Sequence, residues 1–420
     1  MLRSNKVIGK GIDQKLNLSN QTKKQSGRFF IIGFDKKKET FDVAVLSKKD
    51  IKKLGAFSDG LSEEEKTILL QVISNNSQSE TSSYLHVEPG ICIELEYTGF
   101  ENGHIASPVF KQFLFDIKWK DCTWENLLST INGITISHPD KPLWKDNDVT
   151  KIDYIQYLNE ISPYMLPFLQ NRLLTVIRYP HGMFGEKFYQ KNCPDYAPEF
   201  IQTRMHENIN YIVCNNDETL IWLGNQLAFE FHIPFQTIHS TGPSEIVFDL
   251  DPPSREYFPL AVKAAQILKE VFDGLKLITY IKTSGNKGLQ IYIPLPENQF
   301  NYDQTRRFTE FIANFLVTKE PSLFTIERLK KNRHNKLYVD YLQHAEGKTI
   351  VAPYSVRGND GGYVATPLFW DEVTEQLSIE DFPLNRIIPR IQERGCPLST
   401  YFEAKEKQQF QPVLDFLSST

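Results

Sequence analysis

The sequence has little of what several protein classes depend on. Its five cysteines are scattered and form no CxxC pair, which argues against a zinc cage or a disulfide framework and is typical of a reducing cytoplasm. No apolar run approaches the roughly 18 residues that a membrane span requires. The basic N-terminal segment MLRSNKVIGKG lacks the apolar stretch of a secretory signal. These absences predict a cytoplasmic enzyme or binding protein with no membrane partner.

Charge is distributed unevenly along the 420 residues, whose net charge is −5. Residues 1–60 carry 14 lysines and arginines against 6 aspartates and glutamates, so the remainder of the chain is acidic. A basic segment can contact the phosphates of a nucleic acid. A solvated lysine-rich surface accounts for the same count equally well, and charge alone leaves both interpretations open.

Changes in composition and periodicity along the chain predict its division into domains. Residues 1–27 are polar and aperiodic, which predicts a disordered basic tail. Residues 28–120 contain short β-rich runs around one helix, which indicates a small β-barrel. After a linker at 121–133, strands and helices are mixed over 134–400, which indicates an α+β or α/β fold with helices packed on a mixed sheet. Residues 401–420 are predicted to be a C-terminal tail.

Several helices are predicted from their start signals and periodicity. The segment LSEEEKTILLQVIS opens with a capping box formed by Ser62 and Glu65. Thr150 is predicted to be the N-cap of the helix that follows it. A further helix is predicted near residues 218–231, and EYFPLAVKAAQILKEVFDG has the apolar stripe of a helix that ends at Gly274.

The run EIVFDLDPP at 245–253 places two carboxylates in an apolar strand. Because side chains alternate along a strand, Asp249 and Asp251 share one face with Val247. Along the strand they lie about 6.5–7 Å apart, at about 3.3 Å per residue. That spacing can bracket a pair of divalent ions, which lie about 3.5–4 Å apart in two-metal sites. The alternative is a strand end with two solvated acids.

Two further segments favour a metal and a phosphate ligand. Asp340, in KLYVDYLQ, is a third candidate carboxylate from another strand. The turn from Ser284 through Gly285 to Lys287 and Gly288 lies between two strong strands, where backbone N–H groups and a lysine can bind phosphate. It is not a Walker A loop, since no GxxxxGK[ST] is present. A plain glycine-rich hairpin is the alternative.

Three carboxylates and an anion-binding turn are typical of nucleotidyl transfer with divalent metals. A glycosyltransferase also uses a DxD motif with a metal and a nucleotide-sugar. The residues therefore leave both reaction classes open at this point.

The four segments IVFDLDPP, KTSGNKGLQIYIPL, LYVDY and TIVAPYSVRG together resemble the polymerase domain of bacterial ligase D, a member of the archaeo-eukaryotic primase superfamily. The resemblance runs from about Ile134 to about Leu384, in consistent order. It implies a primase-polymerase that extends or fills broken DNA ends in non-homologous end joining, with Mn²⁺ or Mg²⁺ in a two-metal site. It also implies frequent use of ribonucleotides and recognition of a 5′-phosphate on double-stranded DNA ends.

The resemblance also implies roles for individual residues. The metal-binding, catalytic triad is matched by Asp249, Asp251 and Asp340. The nucleotide-binding positions are matched by His232, Ser284, Gly285, Lys287, Arg333 and Arg357. The DNA-binding positions are matched by Lys141 and Lys151 for the 5′-phosphate and by Phe188 and Tyr189 for stacking on a template base. Without the resemblance, Arg333 would be read as part of a solvated charge run and His232 as a structural histidine.

The chain departs from the family pattern at two places. Gln290 stands where the family commonly has a histidine, and His344 stands where it commonly has an asparagine after Gln343. A glutamine can donate a hydrogen bond but cannot carry a charge. Weaker or more Mn²⁺-dependent activity is therefore expected.

The N-terminal part resembles the OB-fold of an ATP-dependent DNA ligase, on the segments GAFSDGLSEEEK and PGICIELEYTGFENGHIASPVFKQF. No KxDG-type adenylation motif occurs in the sequence, so this chain is not expected to seal nicks by itself. An OB-fold can still bind nucleic acid.

The first interpretation is therefore an end-joining primase-polymerase with a ligase-like OB domain, located in the cytoplasm at the nucleoid. Its expected partners are DNA ends, nucleoside or deoxynucleoside triphosphates, the bacterial Ku end-binding protein and a separate ATP-dependent ligase. The alternatives are a non-catalytic scaffold that holds the 5′-phosphate for that ligase and, from another class, a DxD glycosyltransferase.

Overall fold

The computed structural model describes residues 25–419, apart from 48, 102, 128, 129, 133 and 146. The chain divides into two units at Leu127, and each is described separately. Most of the predicted basic tail, residues 1–24, lies outside the described residues. Residues 25–27 already belong to the first strand.

The first unit is a curled antiparallel sheet with one helix of 13 residues and a second, four-residue helix. Its strands are β1 (Gln25–Asp35), β2 (Thr40–Ser47), β3 (Asp50–Phe57), β4 (Ser77–Glu80), β5 (Tyr84–Val87), β6 (Cys92–Tyr97), β7 (Gly99–Glu101), β8 (His104–Ala106) and β9 (Val109–Phe113). Its helices are α1 (Glu63–Asn75) and α2 (Trp124–Leu127). The predicted capping box is confirmed, because the backbone N–H of Glu65 donates to Ser62 Oγ and Ser62 N–H donates to the Glu65 carboxylate.

The long strand β1 organises this sheet. It pairs with β6 over its first half and with β5 at its end, while β2 flanks its other edge. The bend lets aromatic side chains such as Phe30, Phe41 and Phe57 pack inside the curl, where they are buried. A curled β-rich unit is therefore present, while the OB-fold topology itself stays a prediction. The helical turn α2 lies within the segment predicted to be a linker, where Trp124 and Leu127 are buried.

The second unit contains the mixed sheets and the packed helices that the sequence predicts. Its strands are β10 (Thr130–Ile131), β11 (Ile134–Thr135), β12 (Thr175–Arg178), β13 (Pro180–Met183), β14 (Phe188–Gln190), β15 (Thr203–His206), β16 (Ile209–Ile212), β17 (Ala228–Pro234), β18 (Glu245–Asp251), β19 (Tyr280–Thr283), β20 (Leu289–Pro294), β21 (Phe324–Thr325), β22 (Leu337–Asp340), β23 (Thr349–Val351) and β24 (Pro367–Leu368). Its helices are α3 (Lys151–Leu169), α4 (Asp217–Asn225), α5 (Phe258–Gly274), α6 (Tyr302–Lys319), α7 (Leu384–Arg394), α8 (Tyr401–Lys407) and α9 (Gln411–Ser419).

Two sheets of this unit carry the candidate sites. A four-stranded antiparallel sheet has the order β14-β12-β17-β23. A six-stranded sheet has the order β21-β22-β18-β20-β19-β24, antiparallel except for the short β21–β22 pair. The predicted helix over EYFPLAVKAAQILKEVFDG is confirmed as α5, whose apolar stripe is buried, and α3 begins directly after its N-cap Thr150.

The structure differs from the sequence predictions at two segments. The helix predicted near residues 218–231 ends at Asn225, and the strand β17 begins at Ala228. The alternation of buried Phe229, Phe231 and Ile233 is a period of two, which favours a strand over a helix. The segment 401–419, predicted as a tail, forms α8 and α9.

Among residues 25–419 as described above, no helix is long and apolar enough to cross a membrane.

Candidate functional site

A row of polar side chains crosses four strands of the six-stranded sheet. Lys282 of β19 is opposite Gln290 of β20, Gln290 is opposite Asp249 of β18, and Asp249 is opposite Asp340 of β22. Directly opposed residues of antiparallel strands point to the same face, and so do residues two apart on one strand. Asp249 and Asp251 therefore share one face, as the alternation in β18 predicted, and the register with β22 adds Asp340 to it.

This face concentrates negative charge that burial makes costly. Burial and the neighbouring Asp251 carboxylate raise the pKa of Asp249 to about 6, although a hydrogen bond from Gln290 Nε2 at 3.0 Å opposes the shift. Burial also raises the pKa of Asp340, although hydrogen bonds from Tyr338 and Gln343 oppose it. A cation near these carboxylates would offset both the burial and the mutual repulsion.

Two basic side chains already provide part of that compensation at Asp251. Lys287 Nζ lies 2.8 Å from Asp251 Oδ1, and an Arg333 guanidinium nitrogen lies 3.7 Å from Oδ2. Lys287 Nζ also donates to the Pro252 carbonyl at 2.7 Å. Within the part of the chain that the structure describes, no three His, Cys, Asp or Glu side chains are gathered closely enough to hold one ion.

The carboxylate set fits a hard divalent cation by its chemistry. Mg²⁺ and Mn²⁺ prefer oxygen ligands, and carboxylates sharing a face supply them. The register that places Asp249 opposite Asp340, with Asp251 on the same face, is the observation that supports the fit, because a cation there would offset both the burial and the mutual repulsion of these carboxylates. For three carboxylates to hold one ion, the side chains must move from their present positions.

The turn from Ser284 to Gly288 is held by hydrogen bonds to Ser284 and requires glycine at position 285. Ser284 Oγ accepts hydrogen bonds from the backbone N–H groups of Asn286, Lys287 and Gly288 at 3.0–3.2 Å. Gly285 has φ +67°, and a Cβ atom there would lie 2.7 Å from Arg357 Cγ. Only glycine avoids both the backbone strain and the collision. The turn therefore keeps Ser284 and the Arg357 side chain in close contact.

The two arginines are held by specific contacts. Arg357 donates from a terminal guanidinium nitrogen to the Ser284 carbonyl at 3.0 Å. Arg333 lies 3.8 Å over the ring of Tyr338 and donates to the Glu327 carbonyl at 3.0 Å. Its side chain is only 12% exposed, so the solvated-charge-run interpretation is wrong for this residue.

A buried glutamate that sequence reasoning missed joins two of the predicted nucleotide-binding residues. Glu230 Oε2 lies 3.0 Å from His232 Nε2 and 3.0 Å from Arg357 Nε. Glu230 and His232 share one face of β17, since they are two residues apart. The period-two pattern in AFEFHIP is the signal that would have placed them together, had the segment been read as a strand.

A separate pocket of about 180 Å³ brings together the two predicted phosphate-binding lysines. Lys151 is buried and donates to the carbonyl and hydroxyl of Ser137, and Lys141 donates to the Pro180 carbonyl at 2.5 Å. Burial and the charge of Lys141 lower the pKa of Lys151 to about 8. Arg178 also lines this pocket. No carboxylate of the described residues forms an ion pair with either lysine, so the pocket attracts anions.

The predicted aromatic pair lies on the strand that pairs with the strand of Arg178, one of the residues that line this pocket. Phe188 and Tyr189 lie on the edge strand β14 and are 43% and 69% exposed, which is unusual for large apolar rings. The Arg178 guanidinium lies 5.2 Å over the Phe188 ring. An exposed ring beside a cationic pocket has the features of a surface on which nucleic-acid bases stack.

The two departures from the family pattern have different surroundings. Gln290 belongs to the carboxylate row, where its Nε2 contacts Asp249 while its Oε1 has no partner among the described residues. His344 is fully buried and hydrogen-bonds to Thr305 Oγ1 at 2.9 Å, and its ring packs on Phe235. Only Gln290 lies where it can influence the carboxylates directly.

Comparison with known proteins gives one consistent result. The family model described as "LigD, primase-polymerase domain" matches residues 150–398. The bifunctional non-homologous end joining protein LigD of Bacillus subtilis is 44% identical over 391 residues, which is 91% of this chain and 64% of that protein. The multifunctional LigD of Mycolicibacterium smegmatis is 30% identical, over 62% of this chain and 35% of that protein. The chain thus spans less than two thirds of the length of these relatives.

A solved structure extends the likeness to the fold. The polymerase domain from Mycobacterium tuberculosis Ligase D, in complex with DNA, superposes with a TM-score of 0.58 at 27% identity. The match covers 66% of this chain and 99% of that domain. The α+β arrangement of sheets and helices is therefore that of a ligase D polymerase domain.

Proposed function

Since the chain belongs to the family of LigD primase-polymerase domains, we propose that it is a metal-dependent nucleotidyltransferase that extends or fills broken DNA ends in non-homologous end joining. The observation that carries this proposal is the register of β18 and β22, which places Asp249 directly opposite Asp340 with Asp251 on the same face. Family membership leaves the glycosyltransferase alternative without support.

The residues divide the work of nucleotidyl transfer. Asp249, Asp251 and Asp340 would hold Mn²⁺ or Mg²⁺, which when bound supplies charge stabilisation at the attacking hydroxyl and the transferring phosphate. Lys287 and Arg333 pair with Asp251 in this structure. Both are cations beside the site, so both can turn to the triphosphate when metal takes over the charge of Asp251.

The turn and its neighbours would bind the nucleotide. Ser284, Gly285 and Lys287 offer a hydroxyl, a close backbone approach and a positive charge. Arg357, fixed on the Ser284 carbonyl, is proposed to bind the triphosphate, and His232 to contact the nucleotide beside it. Ribonucleotide incorporation is part of the proposal, which rests there on family membership alone.

The lysine pocket would hold the DNA end. Lys141 and Lys151 meet without a carboxylate partner among the described residues, and a 5′-phosphate offers the dianion that such a pocket lacks. Phe188 and Tyr189, exposed on the strand that pairs with that of Arg178, would stack on a template base. Double-stranded ends with a 5′-phosphate are therefore the proposed substrate. We also propose that the protein acts at the nucleoid. Its proposed partners are the Ku protein and a separate ATP-dependent ligase.

We further propose that the curled sheet of the first unit is an OB-fold that contacts nucleic acid. The sheet has a long bent strand β1, a helix after β3 and a parallel bridge between Asp59 and Val109 that brings the end of β3 to β9. Strand closure around a long first strand is typical of OB-folds, which bind nucleic acids on their sheet face.

A non-catalytic end-binding scaffold is the second candidate. The observation that favours it is the pairing of Asp251 with Lys287 and Arg333, which occupies a carboxylate that a metal would need. The scaffold would keep the lysine pocket and dispense with the carboxylate row.

The deciding experiment is extension of a gapped duplex with a recessed 5′-phosphate, in Mn²⁺, with ribonucleotides or deoxynucleotides. Incorporation by the wild type but not by Asp251→Ala would support the polymerase, and the two nucleotide sets would report its sugar preference. No incorporation by the wild type, with 5′-phosphate-dependent binding intact, would contradict the polymerase and leave the scaffold.

A further inference from the structure

Glu230 is a buried carboxylate with an unusual set of neighbours. It is 3% exposed, and four described residues contact its two oxygens. Tyr179 Oη donates to Oε1 at 2.9 Å, and the Gly358 backbone N–H donates to the same oxygen at 3.1 Å. His232 Nε2 and Arg357 Nε both lie 3.0 Å from Oε2. The two oxygens thus face two different sets of residues.

Only one of the two Glu230 oxygens contacts residues of the proposed nucleotide site. Oε1 contacts Tyr179 and Gly358, neither of which is a predicted nucleotide-binding residue. Oε2 contacts His232 and Arg357, both of which are. Arg357 continues to the Ser284 carbonyl at 3.0 Å, so Glu230 on the four-stranded sheet is linked through one arginine to the turn of the six-stranded sheet.

The carboxylate is held in its charged form. Burial alone would raise the pKa of Glu230, but the hydrogen bond with His232 and the charges of Arg357 and His232 outweigh it and hold the pKa at about 2. An ionised carboxylate can only accept hydrogen bonds. His232 Nε2 therefore carries a proton and donates a hydrogen bond to Glu230 Oε2. The orientation of the imidazole and the position of the guanidinium therefore both depend on Glu230.

Resting on the proposed function, we propose that Glu230 is the positioning residue of the nucleotide site, which orients His232 and Arg357 to bind a nucleoside triphosphate. It acts through those two side chains rather than on the substrate. Removing its charge leaves Arg357 without its anionic partner and His232 without its acceptor, and both side chains lose the geometry that binds the nucleotide.

A second buried glutamate in the same unit provides a contrast. Glu245, at the start of β18, is 1% exposed and forms a two-pronged ion pair with Arg172 at 2.5 and 2.8 Å. Lys405 and Tyr401, which also contact its carboxylate, lie on α8. None of these is a predicted nucleotide-binding residue. Glu245 therefore has the burial and the charge of Glu230 without its connection to the site.

The substitution Glu230→Gln separates the two functions of the side chain. Tyr179 and Gly358 both donate to Oε1, so the amide oxygen is expected to stay there and the amide NH₂ to replace Oε2. That group donates where His232 also donates, and it places a neutral amide where the Arg357 guanidinium has an anion. The contacts at Oε1 are kept and those at Oε2 are broken, which isolates the positioning role.

The test measures the dissociation constant of ATP with Mn²⁺, the KM and kcat for incorporation, the dissociation constant of a DNA end with a 5′-phosphate, and the melting temperature. We expect Glu230→Gln to raise the nucleotide dissociation constant and KM by about tenfold to a hundredfold, the range for a lost charge-assisted hydrogen bond. KM should rise by more than kcat falls, and 5′-phosphate binding should stay unchanged.

Two more variants keep the test informative. Tyr179→Phe removes one donor to Oε1, and we expect a smaller increase in the same direction, about twofold to fivefold. Glu245→Gln is the matched control, which should lower the melting temperature while nucleotide affinity stays within about twofold of the wild type. If Glu230→Gln is too unstable to measure, the nucleotide dissociation constant of Tyr179→Phe tests the positioning role instead.

The inference is overturned if Glu230→Gln binds the nucleotide as the wild type does, or if Glu245→Gln weakens nucleotide binding equally. Binding also separates this inference from the proposed function. A wild type that binds nucleotide but does not incorporate it contradicts the polymerase, while weaker binding by Glu230→Gln still supports the positioning role. A wild type that binds no nucleotide overturns both.

Discussion

At the end of β18, Asp249 and Asp251 concentrate negative charge, whereas beside α3 the side chains of Lys141 and Lys151 concentrate positive charge. The carboxylate face contains its own compensating cations, because Lys287 and Arg333 pair with Asp251. The lysine pocket has carbonyl and hydroxyl oxygens but no carboxylate partner among the described residues.

This difference indicates how each site meets its ligand. We expect a ligand cation at the carboxylates to take the place of side-chain cations, which would couple metal binding to nucleotide binding through Lys287 and Arg333. A phosphate entering the lysine pocket has no charged partner to displace. We therefore expect the pocket to bind its ligand without metal, and the carboxylate face to act only with metal.

The largest effect is expected from a substitution that disrupts the carboxylate face and leaves the lysine pocket intact. Asp340→Asn removes one charge from the row, and incorporation should fall by about a thousandfold or more, because charge stabilisation by metal is lost. Binding of a 5′-phosphorylated end, measured by fluorescence anisotropy, should stay within about twofold, because the lysine pocket is intact. A parallel loss of end binding would show that the two sites are not separate.

The next largest effect is expected from a substitution that disrupts the lysine pocket and leaves the carboxylate face intact. Lys151→Met keeps the aliphatic stem and removes the charge, and we expect the preference for a 5′-phosphorylated end over a 5′-hydroxyl end to fall by about tenfold to a hundredfold. Lys145→Met, an exposed lysine outside the pocket lining, is the matched control. Equal losses in the two variants would reduce the pocket to a general basic surface.

The third prediction uses pH to sharpen the comparison. Burial and Lys141 lower the pKa of Lys151 to about 8, so Lys151 is charged below that pH and neutral above it. Affinity for the 5′-phosphate should therefore hold between about pH 7 and 8, where the phosphate is a dianion, and fall by up to about tenfold per pH unit above pH 8. Anisotropy titrations across this range measure it, and Lys151→Arg, which stays charged, should flatten the profile. An unchanged slope in that variant would contradict the assignment to Lys151.

The smallest effect concerns stability. The folded protein raises the pKa of Asp249 to about 6, so the ionised carboxylate is disfavoured by folding and its penalty is fully present above that pH. Asp249→Asn should then increase the free energy of unfolding by about 1–2 kcal/mol at pH 8, and by almost nothing at about pH 3, where the carboxyl is largely protonated in both states. Denaturant unfolding at the two pH values tests this. Destabilisation at pH 8 would mean that Lys282, Lys287 and Arg333 already offset the charge.

Some of the site was predictable from local pattern. The shared face of Asp249 and Asp251 follows from strand alternation, and the Ser284–Gly288 turn follows from its glycines. Glu230 was missed because the helix predicted near 218–231 concealed the alternation of β17. The segment of β17 is short and directly follows a helix, and the spacing of its apolar residues fits both the helical and the strand period. The sequence pattern therefore did not distinguish a strand from a continued helix.

The sequence by itself determined which residues carry charge and how they alternate along each strand, because the period of two is a property of the local backbone. Only the tertiary structure decided that Asp340 lies opposite Asp249, that Asp251 pairs with Lys287 and Arg333, and that Glu230 connects His232 to Arg357. Strand register and ion pairs join residues tens of positions apart. They depend on how whole sheets pack, which no local pattern encodes.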